Sequence, residues 1–273
     1  MILSLDIGGT NIRSAIVTKT KLSEYKKIKT PKRKKQIIKL IKEIIESYKK
    51  PDKICISLAG IIRNKKIQHA LNTNINELNL SKILKEKFRI PIYLDNDANC
   101  AGLAELSYGT GKNLNNFILL TLGTGIGGAI IINKKLYRGN GAAGEIGSMI
   151  IQDKKIFEDF ASGNASIELA KKIGLKTTSS EIELKADKGD KKALAVYQQI
   201  GEFLGIGLAN LAHIFDPDAI ILGGGFSRVK HIHSPAKKTF EKLYDIPPKP
   251  KILKTKFGDD AGLIGAALLP KQN

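Results

Sequence analysis

Two short runs of the 273-residue chain gather carboxylates and amides at spacings that could do acid–base chemistry. In Asp95-Asn96-Asp97-Ala98-Asn99 the polar residues end an apolar stretch and open a helical one. They therefore fall at the C-terminal end of a strand, the edge at which α/β folds bind ligands. A carboxylate there can accept the proton of a hydroxyl as its oxygen attacks phosphorus. The asparagines donate and accept at once, which suits a polyol. A helix N-cap would account for one of these residues but not for the set. The second run, Gly144-Glu145-Ile146-Gly147-Ser148, is followed by Glu158. Each glutamate could accept two sugar hydroxyls, and taken alone each reads as an ordinary surface acid.

Three glycine runs could serve the other reactant. In Asp6-Ile7-Gly8-Gly9-Thr10 a tight turn would turn backbone N–H groups and the Thr10 hydroxyl toward phosphate oxygens, and Asp6 could orient a hydrated Mg²⁺. Alone, it is also an ordinary hairpin with an edge aspartate. Gly123-Thr124-Gly125-Ile126-Gly127-Gly128 lies between two apolar strands. A strand follows it, not a helix, so it is not a dinucleotide loop. So many glycines carry an entropic cost that a ligand would explain. Gly223-Gly224-Gly225 ends a strand and would let backbone approach a flat adenine and its ribose. Two phosphate-type hairpins, one per half of the chain, point to a nucleotide held between two domains.

These runs need elements to hold them. Strands over 2–7 and 12–18 form a hairpin through Gly8–Asn11, with glycine supplying positive φ. A short strand at 23–28 precedes a helix at 33–50, whose Ile37, Ile38, Leu40, Ile41, Ile44, Ile45 and Tyr48 share a face. A strand at 53–58, a helix at 81–88 capped by Ser81, a strand at 91–95 and a helix to about residue 107 follow. The second half opens with strands 117–122 and 128–132. Helices are expected at 163–173, 191–214, 233–244 and 259–269, and strands at 219–222 and 251–255. The pattern predicts an α/β protein of two domains with a cleft between them: 1–110, completed by the C-terminal helix 259–270, and 111–258.

Composition narrows the classes. Hydrophobic residues at 42% supply a core, no apolar run is long enough to span a membrane, and Asp6 stops the first one too early for a secretory signal. A cytoplasmic protein without a membrane partner is expected. Cys55 and Cys100 make neither a disulfide framework nor a zinc pair. The net charge of +19 raises nucleic acid as a partner. Only six of the 45 basic residues are arginine, however, and the densest run, Lys32–Lys50, sets its lysines on the wet face of a helix. No specific nucleic-acid partner is expected.

The order of motifs, LDIGGTNIRSAIV, LDNDANCAGLAE, LTLGTGIGGAIIINKKLYRG, GAAGEIGSM, FEDFASGNA, DPDAIILGGG and DDAGLIGAAL, resembles the ROK family of sugar kinases in the hexokinase–actin–Hsp70 superfamily, almost end to end. The resemblance implies two ribonuclease H-like domains closing over a sugar and Mg-ATP, commonly in a dimer. It implies Asp97 as the base, and Asn74, Asn96, Glu145 and Glu158 on sugar hydroxyls. Gly8, Gly9, Thr10, Gly123, Thr124 and Gly125 would hold phosphates, with Asp6 indirectly on Mg²⁺ and Gly223, Gly224 and Gly225 beside the adenosine. Family members often carry a histidine, and in many a zinc ion, where this chain has Ser148. The cysteine-rich zinc loop is missing from 151–156, so no zinc is expected. Ser148 would still reach a sugar hydroxyl.

The reaction so implied is transfer of the ATP γ-phosphoryl group to the 6-OH of glucose or a related hexose. N-acetylmannosamine, N-acetylglucosamine or fructose are alternative acceptors. A ROK-type regulator would need a helix-turn-helix domain ahead of residue 8. An iron–sulfur activator using Cys55 and Cys100 would leave Asp95–Asn99 without a role.

Overall fold

A computed structural model of the chain describes residues 1–70, 73, 75–175 and 177–272. In chain order its elements begin β1 (Ile2–Ile7), β2 (Asn11–Thr18), β3 (Lys21–Lys29), α1 (Lys34–Glu46), β4 (Lys53–Leu58), β5 (Ile61–Arg63), β6 (Lys66–His69) and α2 (Leu80–Phe88). They continue with β7 (Ile92–Asn96), α3 (Asp97–Tyr108), β8 (Phe117–Leu122), β9 (Ile126–Ile132), β10 (Lys135–Tyr137), β11 (Ile150–Gln152), β12 (Lys155–Ile156), α4 (Glu158–Ala161) and α5 (Gly163–Lys172). The last are α6 (Ser179–Asp187), α7 (Lys191–Phe215), β13 (Ala219–Gly223), α8 (His233–Leu243), β14 (Lys251–Lys254) and α9 (Ala261–Ala266). The chain is a mixed α/β protein of two compact units. The first comprises Met1–Asn113, Lys135–Ala143 and Asp259–Asn273; the second comprises Leu114–Lys134 and Gly144–Gly258.

The first unit is built on a sheet ordered β3-β2-β1-β4-β7, with β1 antiparallel to β2 and parallel to β4, and β4 parallel to β7. Because strand side chains alternate, Leu3, Leu5 and Ile7 of β1 share a face with Ile54, Ile56 and Leu58 of β4. That face meets Ile37, Ile41, Ile44 and Ile45 of α1 in one buried cluster. Each such isoleucine contributes about 1.5–3 kcal/mol by leaving water. The opposite face carries Ser4 and Asp6 on β1 and Cys55 and Ser57 on β4. Here α9 comes close: a Cβ on Gly265 would lie 1.6 Å from the Cys100 carbonyl oxygen, and one on Gly262 would lie 3.0 Å from the Asp6 carboxyl.

The second unit runs β9-β8-β13-β14, with β8 and β9 antiparallel and β13 parallel to both β8 and β14. Its longest helix, α7, starts where the Asp190 carboxylate accepts the Ala193 N–H, and it buries Val196, Tyr197, Ile200, Leu204 and Leu208. Gly207 lets the Phe157 ring lie against this helix, 2.1 Å from where a Cβ would be.

Several local expectations are corrected. α2 is capped by Asn79, whose Oδ1 accepts the Lys82 N–H at 2.9 Å; Ser81 sits inside the helix. The helix expected at 33–50 spans Lys34–Glu46, and that at 259–269 is a short α9 flanked by 3-10 turns. β9 begins at Ile126, not 128. Gly8 and Gly9 are not at positive φ. What favours glycine at residue 8 is space: a Cβ there would stand 3.3 Å from the Asn11 carbonyl oxygen.

Candidate active site

In the first unit, strand register sets the polar groups in a row. Asp6 pairs with Arg13 on β2 and with Ser57 on β4, and Ser57 pairs in turn with Asp95 on β7. Side chains in register point to one face. The Arg13 Nε donates to Asp6 Oδ2 at 3.0 Å, and the Ser57 hydroxyl donates to Oδ1 at 2.7 Å. Asp6 is buried, so these donors replace the water its charge has lost. Just beyond, the Gly8 N–H donates to the Asn11 carbonyl and the Thr30 hydroxyl to the Gly8 carbonyl. The turn is therefore held from inside.

At the far end of the row, β7 delivers Asp95 and Asn96 and passes directly into α3, whose first residue is Asp97. Asn96 is the N-cap: its Oδ1 accepts N–H bonds from Ala98 at 2.8 Å and Asn99 at 3.1 Å. Its amide donates to the Gly60 carbonyl at 3.1 Å. Asp95 is buried against Arg138, 2.8 Å from Nε, and accepts from the Asn99 amide. Of the asparagines that suit a polyol, Asn99 gives its amide to Asp95, which with Arg138 holds the strand end.

In the second unit the β8–β9 turn closes with the Gly123 N–H on the Gly125 carbonyl. The first N–H groups of α5, from Gly163 and Asn164, donate to the carbonyls of Gly123 and Thr124 at 2.8 and 3.2 Å. Glu158 reaches into the same turn, where its Oε2 accepts the Ile126 N–H at 3.1 Å. Two glycines make room for that carboxylate: a Cβ on Gly125 would lie 2.4 Å from Oε2, and one on Gly147 3.2 Å. Gly147 belongs to the 3-10 turn Ile146–Ser148, in which the Ser148 N–H donates to the Glu145 carbonyl. The exposed side chains of Glu145 and Ser148 thus share one turn, next to Glu158. A cavity of about 110 Å³ opens beside it, between Thr124, Glu158, Ser162 and Asn164.

The third glycine run follows β13. Gly224, at φ +83°, lies so close to the end of β8 that a Cβ would stand 2.3 Å from the Leu122 carbonyl oxygen, and the Ser227 hydroxyl donates to its carbonyl at 2.8 Å. Gly223 leans on Thr255. Gly123 and Gly225 differ from all of these, because among the described residues no atom beyond their chain neighbours lies within 4 Å of their missing Cβ. Protein packing does not require glycine at either position.

The ROK family profile matches residues 2–273. The chain belongs to the ROK family. A glucokinase of Halalkalibacterium halodurans is 32% identical over 99% of this chain and 94% of its own length. An N-acetylmannosamine kinase of Haemophilus influenzae is 30% identical over 97% of this chain and 93% of its own. A ROK glucokinase of Streptomyces griseus, solved with glucose and AMPPNP, superimposes with a TM-score of 0.87 at 29% identity, covering 100% of this chain and 99% of that one. These likenesses carry the actin/hexokinase-like fold.

In this ROK chain the first unit brings together Asp6, Gly8, Gly9, Thr10, Asn96 and Asp97, and the second Gly123, Thr124, Gly125, Glu145, Ser148, Glu158 and Gly223–Gly225. Asn74 lies outside the described residues. Arg13, Ser57 and Arg138 were missed, and strand pairing is the signal for the first two. A hairpin that pairs Ile7 with Ile12 must also pair Asp6 with Arg13. Asp6 fits a magnesium ion only through water: Oδ2 already accepts from both Nε and Nη2 of Arg13, while Oδ1, which accepts from Ser57, keeps room for one more hydrogen bond. That matches a cation which keeps most of its waters and leans on phosphates. Among the described residues no three His, Cys, Asp or Glu side chains form a metal cluster, and no helix is long and apolar enough to cross a membrane.

Proposed function

We propose that this chain transfers the γ-phosphoryl group of ATP to a hexose hydroxyl, most simply the 6-OH of glucose. It is a ROK sugar kinase that uses ATP. The observation supporting the nucleotide assignment is the open space at Gly123 and Gly225, which a ligand's phosphates and adenosine would fill at backbone distance. Asp97 takes the proton from the acceptor hydroxyl as that oxygen bonds to the γ-phosphorus. The bond from phosphorus to the β-phosphate oxygen breaks, and ADP leaves with its electron pair. Asn96 offers its remaining amide hydrogen to a sugar oxygen, and Glu145, Ser148 and the second oxygen of Glu158 accept from sugar hydroxyls. Gly8–Thr10 and Gly123–Gly125 hold phosphates. Magnesium, when bound, neutralises charge on them.

The acceptor is the open choice, since glucose and N-acetylmannosamine kinases stand at similar distances from this chain. One hydrogen-bonding contact can shift acceptor preference strongly, and Ser148 is where such a contact would differ. ADP release should be measured with Mg-ATP and glucose, mannose, fructose, N-acetylglucosamine, N-acetylmannosamine or allose, against a blank without sugar. Turnover above the blank with one of them supports the reading and names the acceptor. Release equal to the blank throughout overturns it.

A further inference from the structure

Among the groups around the acceptor motif, Arg138 is a cation that the reaction as written does not use. Its Nε stands 2.8 Å from Asp95 Oδ2, while Asp95 Oδ1 accepts the Asn96 N–H at 2.8 Å and the Asn99 amide at 2.9 Å. Asp95 is 6% exposed, so Arg138 is the charge that balances a buried carboxylate. Three donors on one carboxylate fix the end of β7, and the next two residues are Asn96 and Asp97. The other side of the guanidinium's own backbone is equally constrained. The Arg138 carbonyl accepts the N–H groups of Gly141 and Ala143 at 2.8 and 3.2 Å, and the Arg63 Nε donates to the Asn140 carbonyl at 2.8 Å. A Cβ on Gly141 would lie 2.7 Å from the Ile62 carbonyl oxygen, so the turn is pressed onto β5.

We propose that Arg138 is a positioning residue for the acceptor sugar. By holding Asp95 it sets the direction of Asn96 and Asp97, and its own turn is held against β5. The inference rests on the reading of Asp97 as the base. A planar guanidinium donating through Nε fixes a direction that a lysine ammonium would not. A kinase without this clamp keeps its nucleotide contacts and loses alignment of the acceptor.

The test compares wild type with Arg138→Ala, Arg138→Lys, Asp97→Asn, and a neutral hydrogen-bonding pair, Asp95→Asn with Arg138→Gln. Melting temperatures and separate KM and kcat values for sugar and ATP are recorded for each. The expected result for Arg138→Ala is a loss of about ten- to a hundredfold in kcat/KM for the sugar, the scale of a misaligned reactant. The KM for ATP should stay within about twofold. Arg138→Lys should recover part of the loss, and the neutral pair should recover the melting temperature and most of the sugar KM. A sugar kcat/KM in folded Arg138→Ala within about twofold of wild type overturns the inference. So does a loss that falls equally on the ATP KM and follows the melting temperature across the series. If wild type phosphorylates no sugar, the kinase reading falls and the role toward sugar falls with it, and amide exchange decides whether Arg138 orders the end of β7. Faster exchange at residues 96–99 in Arg138→Ala, with 117–132 unchanged, upholds that ordering; unchanged exchange at 96–99 overturns it.

Discussion

Asp6 and Arg13 face each other directly across the β1–β2 ladder, and the Arg13 guanidinium closes on Oδ2 of the buried carboxylate. Burial is the largest single influence and works against the charged guanidinium, but the field and hydrogen bond of Asp6, with Tyr25 and Asp259, together raise the Arg13 pKa above its ordinary value. With Ser57 on the other oxygen, the aspartate nearest the first glycine turn is oriented before any ligand arrives.

Removing Arg13 should therefore orphan a buried charge. Arg13→Ala is expected to lower stability by about 2–4 kcal/mol, toward the lower part of the range for broken buried pairs because Arg13 is partly exposed. Urea unfolding at neutral pH measures it. Arg13→Lys should lie between the two, since an ammonium restores charge without the planar fork.

Asp97→Asn keeps the shape of the first turn of α3 and removes the proton acceptor. Turnover is expected to fall by about a hundredfold or more. Sugar affinity, read by calorimetry, should change much less. Full activity in this variant would remove Asp97 from the role of base.

The glycines divide into two classes that substitution should separate. Gly125→Ala forces Glu158 out of its place and should lower the melting temperature. Gly123→Ala and Gly225→Ala meet no atom of the described residues beyond their chain neighbours within 4 Å and should melt as wild type does, yet raise the KM for ATP. An unchanged ATP KM in both would mean that no ligand backbone contact is made there.

His233 gives a pH signature. Its Nε2 donates to the Ser227 carbonyl at 2.8 Å, and burial pushes its pKa below the ordinary value; the Ser227 bond opposes this and Lys254 adds to it. As pH falls below about 6.5 the unfolded chain takes up this proton before the folded one does. The stability contributed is thus fully present above that pH and lost as pH drops through the folded pKa. The melting temperature should fall as pH drops below about 6.5, and fall less in His233→Gln.

Burial pushes the Cys55 thiol up to about 12, and it raises Cys100 well above its ordinary value, with the nearby carboxylates adding to the effect. Neither supplies thiolate at neutral pH. A disulfide reagent should modify no thiol in the native protein and both once it is unfolded. Rapid reaction of either in the folded state would contradict the burial.

What the sequence disclosed depended on how far each signal reaches along the chain. β1, β4, β8 and β13 are runs of β-branched and leucine residues ended by glycine or aspartate, a local pattern that reads at once. The hairpin β5–β6, the strand β10 and the hairpin β11–β12 escaped for a shared reason. Their turns, Asn64-Lys65, Asn133-Lys134 and Asp153-Lys154, place two non-glycine residues at positive φ, where Asn-Gly or Asp-Gly is the usual signal. α6 was missed although Thr178 and Glu181 form a reciprocal capping box, because it buries only Ile182 and Ala186. At the candidate site the motif residues were legible from spacing. The partners that orient them were not: Arg138 meets Asp95 across 43 residues of chain, which no local period encodes.

The edge strand β3 carries Lys21, Lys26, Lys27 and Lys29, with one flank on β2 and the other paired with no strand among the described residues. Any foreign strand seeking that open flank would have to settle its backbone among ammonium groups, most of them in water, and lose their hydration to do so. Part of the positive charge that first suggested a polyanion thus acts as a guard rail, stopping the sheet from growing into a neighbouring molecule.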